Sequence, residues 1–266
     1  WAAPVPVHFD FTLPLLGRFT HGGLMPIQVA DLPIGFLWVL AIGSIGVYGI
    51  ALAGWSANSK YPFLGAVRGS AQLISYELAM GLSVLTVFLA TATPDQDNAL
   101  SLVSMVDAQK GVWNLFYHPV AALVFLICIF AEANRHPFDM PESETDLVGG
   151  FHTEYGAFKF GIFFVAEYSH MVIGSALFIL MFLGGWHVLP WMPTIGSGWV
   201  ASLIGVGTFF LKLCFFLFFF VWVRWTIPRF RFDQLMQLGW KVLLPLGLVQ
   251  ILLTGLWGAL AGRLGG

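Results

Sequence analysis

WVASLIGVGTFFLKLCFFLFFFVWV, residues Trp199–Val223, runs for 25 residues with Lys212 as its single charge. A helix of that length is about 37 Å long, more than the roughly 30 Å hydrocarbon core of a bilayer. Inside a bilayer an unpaired backbone group finds no water, so a spanning segment of this kind is a helix. Five more stretches follow the same pattern: Leu32–Trp55, Ser70–Thr91, Pro119–Ala133, Phe158–Trp186 and Val242–Ala261. The third is short and is expected to extend into its flanks. The expected fold is all-α, a polytopic transmembrane helix bundle of about six spans with structured loops, forming one integral membrane domain over residues 1–266.

The composition agrees. Of 266 residues, 58% are hydrophobic and 10% charged, and the mean hydropathy is +0.82, outside the range of soluble domains. A net charge of −2 gives no electrostatic footprint for nucleic acid. The two cysteines, Cys128 and Cys214, fall inside expected spans and make no CxxC or Cys/His pair. A zinc or iron–sulfur site on this chain is therefore not expected, and no residue is a metal candidate. Residues 1–30, rich in Pro and Gly, read as an irregular loop with no signal-peptide pattern.

Lys and Arg set the orientation. Lys60 and Arg68 follow the first span, Arg135 and Lys159 flank the loop over residues 134–157, and Arg224, Arg229, Arg231 and Lys241 bracket the loop after the fifth span. Against these, Arg18, Lys110 and Arg263 lie on the other side. The first group is expected to be cytoplasmic, with residues 1–30 on the opposite face. Trp55, Trp113, Trp186, Trp191, Trp199 and Trp225 fall near the expected interfaces. The mixed stretch NALSLVSMVDAQKGVWNLF, Asn98–Phe116, reads either as a short interfacial helix or as an ordered loop. Gly43, Gly46 and Gly49 make a small-residue ridge, most simply a helix-packing face.

Ionisable groups stand where they are costly. Glu77 lies in LISYELAMGL, Glu167 in FFVAEYSHMV and Lys212 in FFLKLCFF. A charge at the membrane centre costs at least about 2.5–3.5 kcal/mol on insertion scales. Such groups serve either as structural pairs or as a proton or ion path. His170 follows Glu167 by three residues on one helical face, and Arg135 stands in the same relation to Glu132. Between the third and fourth spans, EANRHPFDMPESETDLVGGFHTEY (Glu132–Tyr155) gathers Glu132, Asp139, Glu142, Glu144, Asp146 and Glu154 around one arginine. Pro137 and Pro141 break regular helix there and Gly149–Gly150 permit a sharp turn. A row of acids leading from a loop into apolar surroundings titrates as a coupled set, so a charge added at one end is felt along it.

These residues also carry a family likeness. AEANRHPFDMPESETDLVGGFHTEYGAFKFGIFFVAEYSHM (Ala131–Met171) resembles the signature loop and following helix of the H subunit (subunit 1 in mitochondria) of proton-pumping NADH:quinone oxidoreductase, respiratory complex I. GVYGIALAGWSANSKYPFLGAVRGSAQLISYEL (Gly46–Leu78) resembles its other strong motif, and LFFFVWVRWTIPRFRFDQLMQLGWKVLLPL (Leu217–Leu246) its C-terminal portion. Asp146 stands where that family usually has Glu. The resemblance implies a membrane subunit that helps to form a quinone-binding tunnel and couples quinone reduction to proton translocation. It implies a path of Glu77, Glu132, Glu142, Glu144, Asp146, Glu154 and Glu167 with Arg135 as counter-charge, and a tunnel wall with Phe138 and Asp139. Arg224, Arg229, Arg231 and Asp233 would dock a partner or line the cavity. It further implies ubiquinone or menaquinone as substrate, FMN and iron–sulfur clusters on partner subunits, and partners in both the peripheral quinone module and the membrane arm. The implied location is the bacterial inner (plasma) membrane. The family's first two helices are missing from this sequence, which reads as N-terminally truncated. The residues alone also allow a coupling anchor of a related hydrogenase-type complex, or a stand-alone proton or cation transporter.

Overall fold

The computed structural model describes residues 2–13, 17–27, 32–91, 101–142, 148–190 and 199–264. They form a polytopic helical bundle preceded by one hairpin. Helix α1 is Gly35–Ser56, α2 Lys60–Thr91, α3 Leu102–Asp107, α4 Asn114–Tyr117, α5 Pro119–Glu132, α6 Ala157–Phe182 and α7 Trp199–Thr226. The last helical run is α8 Phe232–Gln237, a π-helical segment Leu238–Leu243, and α9 Leu244–Leu264. Among the described residues five helices are long and apolar enough to cross a membrane.

The shortfall against six expected spans lies in the third. Helix α5 has 14 residues. It does not extend into its flanks: His118, at φ −129° and ψ 58°, separates it from the one-turn α4, and beyond Ala133 the chain turns through Asn134 at φ 48°. Its length suits its place, because α5 is a core helix, with Val124, Phe125, Cys128 and Ala131 all buried. Two other helices start earlier than expected. α2 begins at Lys60, with Pro62 in its first turn, where no intrahelical donor is needed. The run through α8 and α9 begins at Phe232.

The long helix α2 is the hub, in contact with α1, α5 and α9. Its buried Ser75, Ser83 and Thr86 return hydroxyl hydrogen bonds to their own helix, so polar side chains can be buried there. Phenylalanine fills the centre: Phe130 stacks on Phe220 at 3.9 Å between ring centroids, and Phe125 lies 5.7 Å from Phe182.

The N-terminal stretch expected to be an irregular loop is an antiparallel hairpin of β1 (Ala2–Leu13) and β2 (Gly17–Ile27), with Phe9 opposite His21 and Leu13 opposite Gly17. The overlooked cue is a period of two: Val5, Val7, Phe9, Phe11 and Leu13 alternate with Pro6, His8, Asp10 and Thr12.

Asn98–Phe116 is described from Ser101 onward and holds α3 and α4. It is docked onto protein. Gln109 donates to the Leu180 carbonyl at 2.8 Å, and Asn114 donates to that of Met181 at 2.9 Å, both near the end of α6. Lys212 belongs to the same corner. Its ammonium donates to the carbonyls of Leu183, Gly185 and His187 at 2.7, 3.1 and 2.6 Å, so it caps the end of α6. Its partners are carbonyl oxygens, and the carboxylates lie elsewhere.

Candidate functional site

At the other end of the bundle three loops meet. The α1–α2 turn receives the acidic loop: Tyr155 Oη lies 2.6 Å from Ser56 Oγ and 2.7 Å from the Ala53 carbonyl oxygen. The segment after α7 joins them, with Phe230 N–H donating to the Pro137 carbonyl at 3.4 Å and Arg229 donating to Asp139 at 2.8 Å. The three loops grouped by Lys and Arg counting thus share one end of the molecule.

Local sequence explains how the loop is seated. Gln72, buried in α2, donates to the carbonyls of Ala131 at 2.8 Å and Phe138 at 2.7 Å. One side-chain amide therefore serves acceptors at both the end of α5 and the loop. Gly69 of α2 lets Pro141 approach so closely that a Cβ would come within 2.7 Å of its ring. Gly150, at φ +76°, turns the chain against the Pro141 carbonyl, which accepts from Phe151 N–H at 3.2 Å. Only glycine takes that conformation at low cost.

Above the loop lies a cavity of about 270 Å³. Glu77 of α2, Glu132 of α5, and Glu167 and His170 of α6 all line it. Its floor is α1, through Gly43 and Gly46. A Cβ on Gly43 would sit 3.2 Å from Glu132 Oε1, and one on Gly46 would sit 3.4 Å from His170 Nε2. The glycine ridge read as a packing face is therefore part of the cavity wall, and nothing lies within 4 Å of a Cβ placed on Gly49. Ser44, on the same turn, donates to Glu77.

Arg135 faces Glu167 at 3.7 Å, both nearly fully buried. The guanidinium also lies over the Tyr168 ring, 4.1 Å from its centroid. Among the described residues, neither Nε nor Nη2 of Arg135 reaches a hydrogen-bond acceptor. A buried pair repays its desolvation only with close geometry. This loose one is weak evidence for stability and fits a functional site better. The cavity is large enough for several water molecules. Three glutamates and one histidine from three helices thus border one space.

Glu142 lies in the loop just below, 3.5 Å from His152 Nδ1. Asp139 is held near Glu142 and Arg229. Burial, with the Glu142 charge adding to it, pushes the Asp139 carboxyl up to about 7 despite the arginines nearby. The direction fixes a pH dependence. Between the ordinary 3.8 and about 7 the folded protein binds the proton more tightly than the unfolded chain. Stability from this group is full below the lower value and is lost as pH rises through the upper one. Asp139→Asn will flatten that slope, as measured by thermal unfolding midpoints from about pH 4 to about pH 8.

Not every expected residue joins the cavity. Phe138 is buried against Tyr76 and Phe230, with centroids 5.6 and 5.5 Å away. Glu154 is exposed, and Glu144 and Asp146 lie outside the described residues. Arg224 is exposed at the end of α7, while Arg231 pairs with Asp233 at 3.0 Å on the surface. Ser44, Gln72, His152 and Tyr168 are site residues that the sequence reading does not single out; the last three lie inside the quoted motifs, and only the packing of four elements shows that they join the site.

The family model described as NADH dehydrogenase matches residues 5–255. The chain is 51% identical over 250 residues to an H subunit of the NADH-quinone oxidoreductase of Geobacter metallireducens, covering 94% of this chain and 69% of that one. It is 46% identical over 232 residues to the H subunit of the same enzyme from Flavobacterium johnsoniae, covering 86% and 65%. It is also 45% identical over 270 residues to NADH-quinone oxidoreductase subunit 8 of Rhodothermus marinus, covering 97% and 76%. The aligned part thus spans about two thirds of the length of the Flavobacterium relative.

Proposed function

Because the chain belongs to the NADH dehydrogenase family, whose relatives here carry the name of the H subunit of NADH-quinone oxidoreductase, we propose that it is the quinone-site and proton-coupling subunit of a membrane NADH:quinone oxidoreductase. The observation that carries this reading is the convergence of Glu77, Glu132 and Glu167 from three helices on one cavity, directly above the Arg135 pair and the acidic loop. Reduction of a quinone at the loop end adds negative charge and draws protons. Buried carboxylates coupled to that charge change their proton occupancy, and the change passes along the cavity into the membrane. The loop carrying Phe138 and Asp139 contributes to the wall of the quinone site. Glu142 links the site to the cavity, and Glu144, Asp146 and Glu154 belong to its approach.

The chain binds no redox group of its own in this reading. Electrons from NADH reach the quinone through FMN and iron–sulfur clusters on peripheral subunits, which dock against the basic end that includes Arg224, Arg229, Arg231 and Asp233. Other membrane-arm subunits receive the proton signal. The location is the bacterial inner (plasma) membrane, with the acidic loop on the cytoplasmic side by the excess of Lys and Arg at that end.

The test is Glu132→Gln and Glu167→Gln in the full-length protein within its assembled complex. Each substitution keeps size and removes the titrating proton. Quinone-linked proton uptake by inverted vesicles is expected to fall about a hundredfold, the low end of the range by which acid–base groups contribute. NADH oxidation by a water-soluble artificial acceptor stays unchanged. Normal proton uptake by both assembled variants would sink the reading.

A further inference from the structure

Besides the carboxylates of the proposed path, the cavity is lined by two ionisable groups, Cys128 and His170. His170 stands one helical turn beyond Glu167 on α6, on the same face. Its Nε2 points at the α1 floor, where Gly46 leaves room for it. Glu132 Oε1 stands over the neighbouring Gly43. Gly43 and Gly46 are three residues apart on α1, so their Cβ positions are about 5–6 Å apart. The imidazole of α6 and the carboxylate of α5 therefore face one turn of α1 across a notch without side chains. A gap of this kind is spanned by about one or two water molecules.

From this juxtaposition we propose that His170 is a proton carrier between Glu167 and Glu132, and that Gly43 and Gly46 keep the passage between them open. The proposal rests on the proton-coupling reading above and adds a residue to it. The step is a relay. One ring nitrogen binds the proton that leaves Glu167, and the other ring nitrogen releases its own toward Glu132 through the intervening water. The imidazole ends neutral, as it began. No bond to carbon changes and no electron moves. Histidine suits this place because its ring carries two nitrogens, one able to bind a proton while the other releases one. The groups facing it are Glu77 from α2, Cys128 and Glu132 from α5, and Glu167 from its own helix; α1 presents no ionisable group, only glycines, Ser44, Val47 and Ile50. Arg135 stands behind Glu167.

The experiment compares His170→Gln, Gly46→Val, Glu132→Gln and Glu167→Gln in the full-length protein of the assembled complex. The readout is quinone-linked proton uptake by inverted vesicles from about pH 5.5 to about pH 8.5, a range that brackets the ordinary imidazole value. Electron transfer to a water-soluble artificial acceptor reports assembly. The expected result for His170→Gln is a fall of about a hundredfold and the disappearance of the limb of the pH profile that titrates with the imidazole. Gly46→Val, which fills the notch but keeps the imidazole, gives a similar fall with that limb retained. If His170→Gln fails to assemble, His170→Asn is read in its place. Wild-type uptake with a wild-type pH profile in the histidine variant, while the two carboxylate variants lose uptake, overturns the role of His170 and leaves the coupling reading standing. Normal uptake by both carboxylate variants overturns the coupling reading and this inference with it.

Discussion

Replacing Gly150 with alanine will unseat the acidic loop. The added Cβ overlaps the Pro141 carbonyl oxygen and comes within 2.7 Å of its carbon and 2.9 Å of Glu142 Cα. These are backbone atoms, so no rotamer change relieves the overlap. The left-handed conformation at φ +76° adds about 1–2 kcal/mol for any residue with a side chain. A total above about 4 kcal/mol is expected, a size reserved for a few named causes, of which special backbone geometry is one. Each 1.4 kcal/mol is tenfold, so the ratio of seated to unseated loop falls by about a thousand. Quinone-linked activity should be lost and the amount of assembled complex in membranes should drop. Gly156→Ala is the control: it lies in the same segment, and nothing stands within 4 Å of its added Cβ. Equal activity for the two variants would show that the loop is not held in this way.

Arg135→Met has the second large effect. The arginine is the charged partner of buried Glu167 among the described residues, and its guanidinium covers the Tyr168 ring. Removing one member of a buried pair costs up to about 3–5 kcal/mol where the other group keeps its charge, and less where it takes a proton instead. For a chain of this size the full cost is a fall in thermal midpoint of about 10 °C. The double variant Arg135→Met, Glu167→Gln leaves neither charge and should recover most of the midpoint. It should not recover quinone-linked proton uptake, since the titrating carboxyl is gone. Thermal unfolding and vesicle proton uptake measured on all three variants separate the two effects. Recovery of both quantities in the double variant would mean that the pair serves packing alone.

How much of this was legible beforehand differs between depth and direction. Hydropathy placed Glu77 and Glu167 inside spans, because depth depends only on counting residues from a helix end. It could not say that they face each other. That depends on the rotation of α1, α2, α5 and α6 about their axes, and helices that are apolar nearly all round give no stripe to read it from. The same gap explains Gly43 and Gly46. Small residues three apart mark a close approach, and the sequence does not say whether a helix or a carboxylate makes it. The third span is short, as read, but it does not extend into its flanks, because the residues before it, Asn114–Tyr117, make a separate turn of their own. The break at His118 is a matter of tertiary docking through Gln109 and Asn114. Lys212 was the most conspicuous charge in the opening stretch, and it serves the end of another helix.

Helix α5 climbs only about 21 Å in its 14 residues, while the apolar layer around the protein is roughly 30 Å thick. A helix that short fits a bundle where longer neighbours surround it, and α5 is so placed, with Val124, Phe125, Cys128 and Ala131 buried. The irregular backbone that follows it, through Asn134, Arg135, Phe138 and Met140, is likewise enclosed by protein, the setting in which non-helical backbone is tolerated. Any insertion that lengthened α5 at its C-terminal end would have to displace that loop, so the length of this one helix sets where the acidic segment begins.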